Sequence, residues 1–145
     1  MPLPKLNKLL VALAILAIIG FADASFVALE TSRGEIPPCA IGGCDLVLQS
    51  EYASIFGISV AAIGAVYYGL VILFVATFLI TERKSLVTYI AILTGAGAII
   101  SLFLVYLQLF VIESLCLYCL ISAGTSFALF TLAWMVVKTI KQQQN

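Results

Sequence analysis

Histidine is absent from the 145 residues, and only 10% of them carry charge. The first absence removes every imidazole general base and every histidine metal ligand. The second removes the polar surface of a soluble domain, in which about a quarter of residues are charged. Seven basic residues balance seven acidic ones, so no net field draws the chain to nucleic acid or an anionic substrate, and no nucleic acid is expected as a partner. What remains is apolar: 63% of residues are hydrophobic, and the mean hydropathy is +1.21. Such a chain belongs in lipid, and its length suits one domain.

Four apolar runs stand out. Leu9–Leu29 is interrupted only by Asp23, and Ile55–Ile80, Leu86–Val111 and Leu115–Val137 hold no charge. Each reaches or exceeds the roughly 20 residues a helix needs to cross about 30 Å of hydrocarbon. Strand alternation is missing, and an open sheet would leave backbone groups unpaired in lipid. The expected fold is an all-α integral membrane protein. It is a four-transmembrane-helix bundle occupying residues 1–145 as a single membrane domain, with spans at 9–29, 55–80, 86–111 and 115–137.

Charge placement orients the bundle. Lys5 and Lys8 precede the first span, Arg83 and Lys84 lie between the second and third, and Lys138 and Lys141 follow the fourth. The other side holds Arg33 with Glu30, Glu35, Asp45, Glu51 and Glu113. The positive-inside bias then puts both termini in the cytoplasm of a multi-pass protein of the cell inner (cytoplasmic) membrane. The loop 30–54 and the turn 112–114 face outward. Lys5, Lys8 and Ala22-Asp23-Ala24 also resemble a secretory signal with a cleavage site. The apolar run continues through Phe26–Leu29, which a cleaved signal does not need, so an uncleaved span is expected.

The outer loop divides into two. Gly34, Pro37, Pro38, Gly42 and Gly43 break any helix in its first half. From Asp45 to Ser54 the pattern suits a short interfacial helix capped by Asp45, with Leu46, Val47 and Leu48 on the membrane surface. Gly57 and Gly64 are expected to allow close packing inside the bundle, and the polar residues 141–145 to fray.

Four cysteines carry the only side-chain redox chemistry readily available, and the charge pattern puts all four on the outer side. Cys116-Leu-Tyr-Cys119 opens the last span. Positions i and i+3 share a helix face, and the first turn, with its unpaired N–H groups and positive dipole end, favours a thiolate at Cys116. Cys119 lies one turn deeper. Cys39-Ala-Ile-Gly-Gly-Cys44 forms the second pair, whose two glycines let the ends meet and the arm swing. Two structural disulfides, or a zinc site of four thiolates, are the competing readings. A short helical CxxC disulfide is typically redox-active, and a four-span bundle needs no staples. Persistent thiolates would also be eroded in an oxidising compartment. A redox relay without metal is therefore expected.

Several segments together resemble the vitamin K epoxide reductase family in its short prokaryotic form, over almost the whole chain. Gly20-Phe-Ala-Asp23-Ala-Ser25-Phe26 is similar to the family's Gly-x-x-Asp-Ser-x-Tyr signature, with Ala24 as an insertion. Cys44 followed six residues on by Ser50 resembles its second loop cysteine and serine. Gly57-Ile-Ser59, Gly64 and Tyr67/Tyr68 resemble a Gly-Ile-Pro…Gly…Tyr stretch, with serine in place of proline. Cys116-Leu-Tyr-Cys119 matches its active-site CxxC.

The resemblance implies that Cys116 and Cys119 reduce a quinone (ubiquinone, menaquinone or another vitamin K-type quinone), with Cys119 nearest the ring. Cys39 and Cys44 become the shuttle pair, linked to the active pair through a transient Cys44–Cys116 disulfide. Ser50, Ile63, Tyr67 and Tyr68 are the candidate quinone-binding residues. For the tyrosines, packing and interface anchoring compete with that role. Asp23 is a candidate functional acid, against the reading of a solvated carboxylate at the outer boundary. The electron donor is expected to be a separate thioredoxin-like (DsbA-like) extracytoplasmic protein, because eight residues follow Val137, and the output to be disulfide bond formation in exported proteins. A DsbB-like quinone reductase is the enzymatic alternative, but that family opens its second span with the CxxC. A small non-enzymatic membrane subunit with structural disulfides is the other.

Overall fold

The computed structural model describes residues 4–145. Among them, four helices are long and apolar enough to cross a membrane. Helix α1 spans Pro4–Ser32, and a short helix α2 spans Cys44–Leu48. A 3-10 turn at Glu51–Ala53 leads into a small hairpin of β1 (Ser54–Ile55) and β2 (Ile58–Ser59). Then come α3 (Val60–Thr81), α4 (Lys84–Tyr106) with a π-helical extension at Leu107–Val111, and α5 (Leu117–Gln144).

The long helices form a ring in which α1 packs on α3 and α5, and α4 packs on α5 and α3. Leu13 and Ala17 of α1, Val71 and Val75 of α3, Ile90 of α4 and Leu129 and Ala133 of α5 fill the centre. Large apolar residues such as Ile18, Leu73, Ile99, Phe103 and Trp134 stay exposed on the outside. Helices apolar on inner and outer faces alike are those of a bundle solvated by lipid. The start of α1, the α3–α4 turn and the end of α5 meet at one end, where Leu6, Phe78, Lys84 and Ile140 share a small cavity. The cysteines lie at the other end.

Several boundaries differ from the sequence reading. The second span begins at Val60, not at residue 55, because Ser54 pairs with Ser59 and Ile55 with Ile58 across a turn whose two central residues, Phe56 and Gly57, are both left-handed. Two consecutive positive φ values are what a two-residue hairpin of type I′ requires. Gly57 therefore serves this turn and not helix packing, and a Cβ on Gly64 would meet the Ala24 methyl at an ordinary 3.6 Å, so no close approach there requires glycine. The close helix approaches fall elsewhere: a methyl group on Gly20 would collide with the Tyr68 ring, and one on Gly97 with Tyr67. The interfacial helix is shorter than expected and starts from Gly43, with Asp45 in its first turn and no side-chain cap. Val47 is buried and not on the membrane surface. The tail expected to fray continues α5 to Gln144.

Candidate functional site

Cys39 and Cys44 are joined in a disulfide with their Cα atoms 5.9 Å apart, and Cys116 and Cys119 are free thiols. The two pairs are packed together. Cys44 and Cys116 are both almost wholly buried and form one apolar cluster with Val47, against which Cys39, Leu117, Tyr118 and Cys119 pack. Cys39 is the half-buried member of its pair, Cys44 the buried one.

Two local features hold the loop on the CxxC segment. Gly43 lies so close to Leu115 that a Cβ there would run into the Leu115 carbonyl oxygen. Only glycine permits this approach, and it seats the N-terminus of α2 beside Cys116. The Tyr118 hydroxyl donates a hydrogen bond to the carbonyl of Pro38, next to Cys39. The Tyr118 ring packs on Phe26 of α1 with centroids 5.7 Å apart.

Cys116 does not lie within the first turn of the last helix, as the sequence suggested. It is the N-cap of α5, with extended backbone (φ −106, ψ 120), and Leu115 precedes the helix. This conformation turns Sγ back so that it accepts the backbone N–H of Cys119 at 3.4 Å. A bond from the Cys119 thiol, with backbone donors from Cys119 and Tyr118, holds the Cys116 thiol below its ordinary range, while burial pushes the other way. Donors aimed at sulfur favour the thiolate, which is the nucleophile in disulfide exchange. The backbone N–H of Cys116 itself donates to Oε1 of Gln108 at 3.0 Å.

Below the cysteines lies a cavity of about 920 Å³, bounded by residues of all four long helices and of the loop. Cys119 lines it. So do Asp23, Ser50, Ile63, Tyr67 and Tyr68, the other residues singled out from the sequence. Their situations differ. Tyr68 is buried, and its hydroxyl hydrogen bonds with Ser122 and Ser126, at 2.6 Å to the Ser122 carbonyl, so it ties α3 to α5. Ser50 donates to the Val47 carbonyl at 2.7 Å and closes α2. Tyr67 has a buried hydroxyl with no hydrogen-bond partner among the described residues. Asp23 is half-buried on α1.

The sequence matches the vitamin K epoxide reductase family over residues 11–134, which takes in all four cysteines and most of each long helix. The chain belongs to that family. It is also 35% identical, over 131 residues, to the thiol-disulfide oxidoreductase LTO1 of Arabidopsis thaliana, an alignment covering 84% of this chain and 34% of the relative. The chain therefore spans about a third of the length of that relative. In this member of the vitamin K epoxide reductase family, sequence reasoning missed three contributors: Gln108, Tyr118 and Gly43. A signal for the first was present, since Gln108 is the lone carboxamide in the run 86–111.

Proposed function

We propose that this chain is a membrane thiol oxidoreductase that carries electrons from extracytoplasmic thiols through Cys39/Cys44 to Cys116/Cys119 and on to a quinone. The observation that carries this reading is the packing of the Cys39–Cys44 disulfide and Cys116 in one buried cluster, with Cys119 on the adjoining cavity. The name of the Arabidopsis relative, a thiol-disulfide oxidoreductase, agrees with it.

The relay balances as follows. The thiolate of a thioredoxin-like partner attacks Cys39, the more accessible sulfur of the loop disulfide, and Cys44 leaves as thiolate. The partner's second thiol then releases Cys39, so two electrons enter the loop pair. Cys44 attacks Sγ of Cys116 in an oxidised Cys116–Cys119 disulfide, and Cys119 leaves. Cys39 attacks Cys44 in turn and frees Cys116. The loop pair is then a disulfide and the CxxC pair two thiols, the arrangement present in this structure.

The cavity residues fit a quinone. The volume lies in the range of small-molecule sites, most of the lining is apolar, and the unpartnered Tyr67 hydroxyl is the kind of donor a quinone carbonyl satisfies. A bound quinone would supply an acceptor for two electrons and two protons, which regenerates the Cys116–Cys119 disulfide. Cys119, Tyr67 and Ile63 would hold it. The six basic residues at the opposite end support placing that end in the cytoplasm and the cysteines outside. Disulfide formation in exported proteins is the output that follows.

Anaerobic mixing of the reduced, detergent-solubilised protein with a soluble quinone analogue tests the reading. Wild type should consume two quinones per fully reduced chain, one for each dithiol, and Cys119→Ala should fall to the uncatalysed rate. Cys39→Ala should keep turnover driven by dithiothreitol and lose turnover driven by a protein dithiol. Quinone reduction by Cys119→Ala at the wild-type rate would overturn the reading.

A further inference from the structure

Gln108 sits where an apolar residue would satisfy the membrane-spanning pattern. It is 3% exposed, in the π-helical turn that ends α4. That turn is closed by the bond from Ile112 N–H to the Leu107 carbonyl at 2.8 Å. π-turns inside helices are uncommon and frequent at functional sites. Here the turn does two things with one residue. The Gln108 backbone carbonyl accepts Ser114 N–H at 3.0 Å, which folds the chain back toward α5. Its side chain then reaches across the turn to Cys116.

The side chain's orientation follows from its partner. A backbone N–H can only donate, so the carboxamide atom facing Cys116 is the oxygen and the NH₂ group points away. Cys116 is fully buried. Its N–H precedes the helix and has no carbonyl four residues back within α5 to take it, and water does not reach it. Gln108 is therefore the acceptor that keeps the backbone of Cys116 in its extended N-cap conformation. That conformation is also what brings Sγ onto Cys119 N–H. Were the Gln108 acceptor lost, the buried N–H would seek another partner, and the sulfur would come off its own donor.

We infer that Gln108 is a positioning residue for the thiol chemistry: through Cys116 N–H it holds the Cys116 sulfur on the helix N-terminus as a ready thiolate. The inference rests on Cys116 being a reacting thiol, as in the proposed function. It adds a residue on α4 that the four cysteines do not account for.

The test is the pH profile of Cys116 alkylation in the reduced full-length protein, followed at the Cys116 peptide by mass spectrometry. The reaction needs neither quinone nor partner, so its outcome is separate from the quinone assay. The ionisable groups on the surrounding elements are Cys119 and Tyr118 of α5, Asp23 of α1, Asp45 of α2, Glu113 in the turn and, once the loop disulfide is reduced, Cys44 in the same cluster and Cys39 packed on it, and all of them stay in place in the variants. Gln108→Met keeps the length and bulk of the side chain but offers no comparable acceptor. It should raise the alkylation midpoint by roughly one pH unit, a tenfold smaller thiolate fraction below that midpoint. Gln108→Leu also removes the acceptor, with a smaller apolar side chain. It should raise the midpoint too, and it carries the test alone if the Met variant does not fold. A profile superimposable on wild type in either folded variant overturns the inference.

Discussion

Tyr118 lies between the two free cysteines of the CxxC motif and reaches away from them, to the Pro38 carbonyl through its hydroxyl and to Phe26 through its ring. It clasps the loop disulfide to the segment that carries Cys116. Tyr118→Phe keeps the ring and removes the bond. A hydrogen bond of this kind contributes about 0.5–1.5 kcal/mol net, so the loop should open roughly two to ten times more often. Reduction of Cys39–Cys44 by a water-soluble phosphine should speed up by that factor, and an unchanged rate would refute the clasp. At this scale the meeting of the two cysteine pairs was legible in the sequence, because the outer turn before Cys116 lies next to the loop that carries Cys39 and Cys44. The roles of Tyr118 and Gln108 were not. An aromatic and an amide in a membrane helix look alike whether they pack, anchor or position, and only the fold brings Pro38 and Cys116 to them. Tyr67 and Tyr68 make the same point: adjacent and identical in type, Tyr68 is bonded to α5 and Tyr67 has a hydroxyl without a partner among the described residues.

The elements join where the loop meets the α4–α5 turn, and Gly43 sets how closely. Its missing side chain lets the start of α2 rest on the Leu115 carbonyl. Gly43→Ala would push the two segments apart by the width of a methyl group. Displacements near 1 Å in a reacting geometry cost up to about 100-fold in rate. Disulfide transfer between the loop pair and the CxxC pair, followed by rapid acid quench and alkylation, should slow roughly tenfold or more. Quinone reduction by an already reduced CxxC pair should not. Equal slowing of both steps would mean that Gly43 supports the fold at large. The long helices could be read from hydropathy, since a run of apolar residues of the right length has one stable form in lipid. The hairpin at 54–59 could not, because strands of two residues have no period to detect. Asp45 looked like the cap of α2 by type, yet the close approach to Leu115 gave that position to Gly43.

Across the whole molecule the bundle separates two chemistries by its length. Basic residues gather at one end, and the cysteines and the larger cavity at the other, with Cys119 on the cavity and Cys39 on the outer side of the sulfur cluster. A relay uses such an order: an accessible sulfur to meet a protein, two buried sulfurs to exchange with each other, and a fourth beside an apolar chamber. The exchange between Cys44 and Cys116 is the step on which the rest of the proposed relay depends. It can be isolated in the Cys39→Ala/Cys119→Ala double variant, where only those two cysteines remain. Mild oxidation followed by non-reducing digestion and mass spectrometry should recover a single disulfide-linked peptide pair joining Cys44 to Cys116 within one chain. Recovery of both cysteines as free thiols after the same treatment would contradict the account.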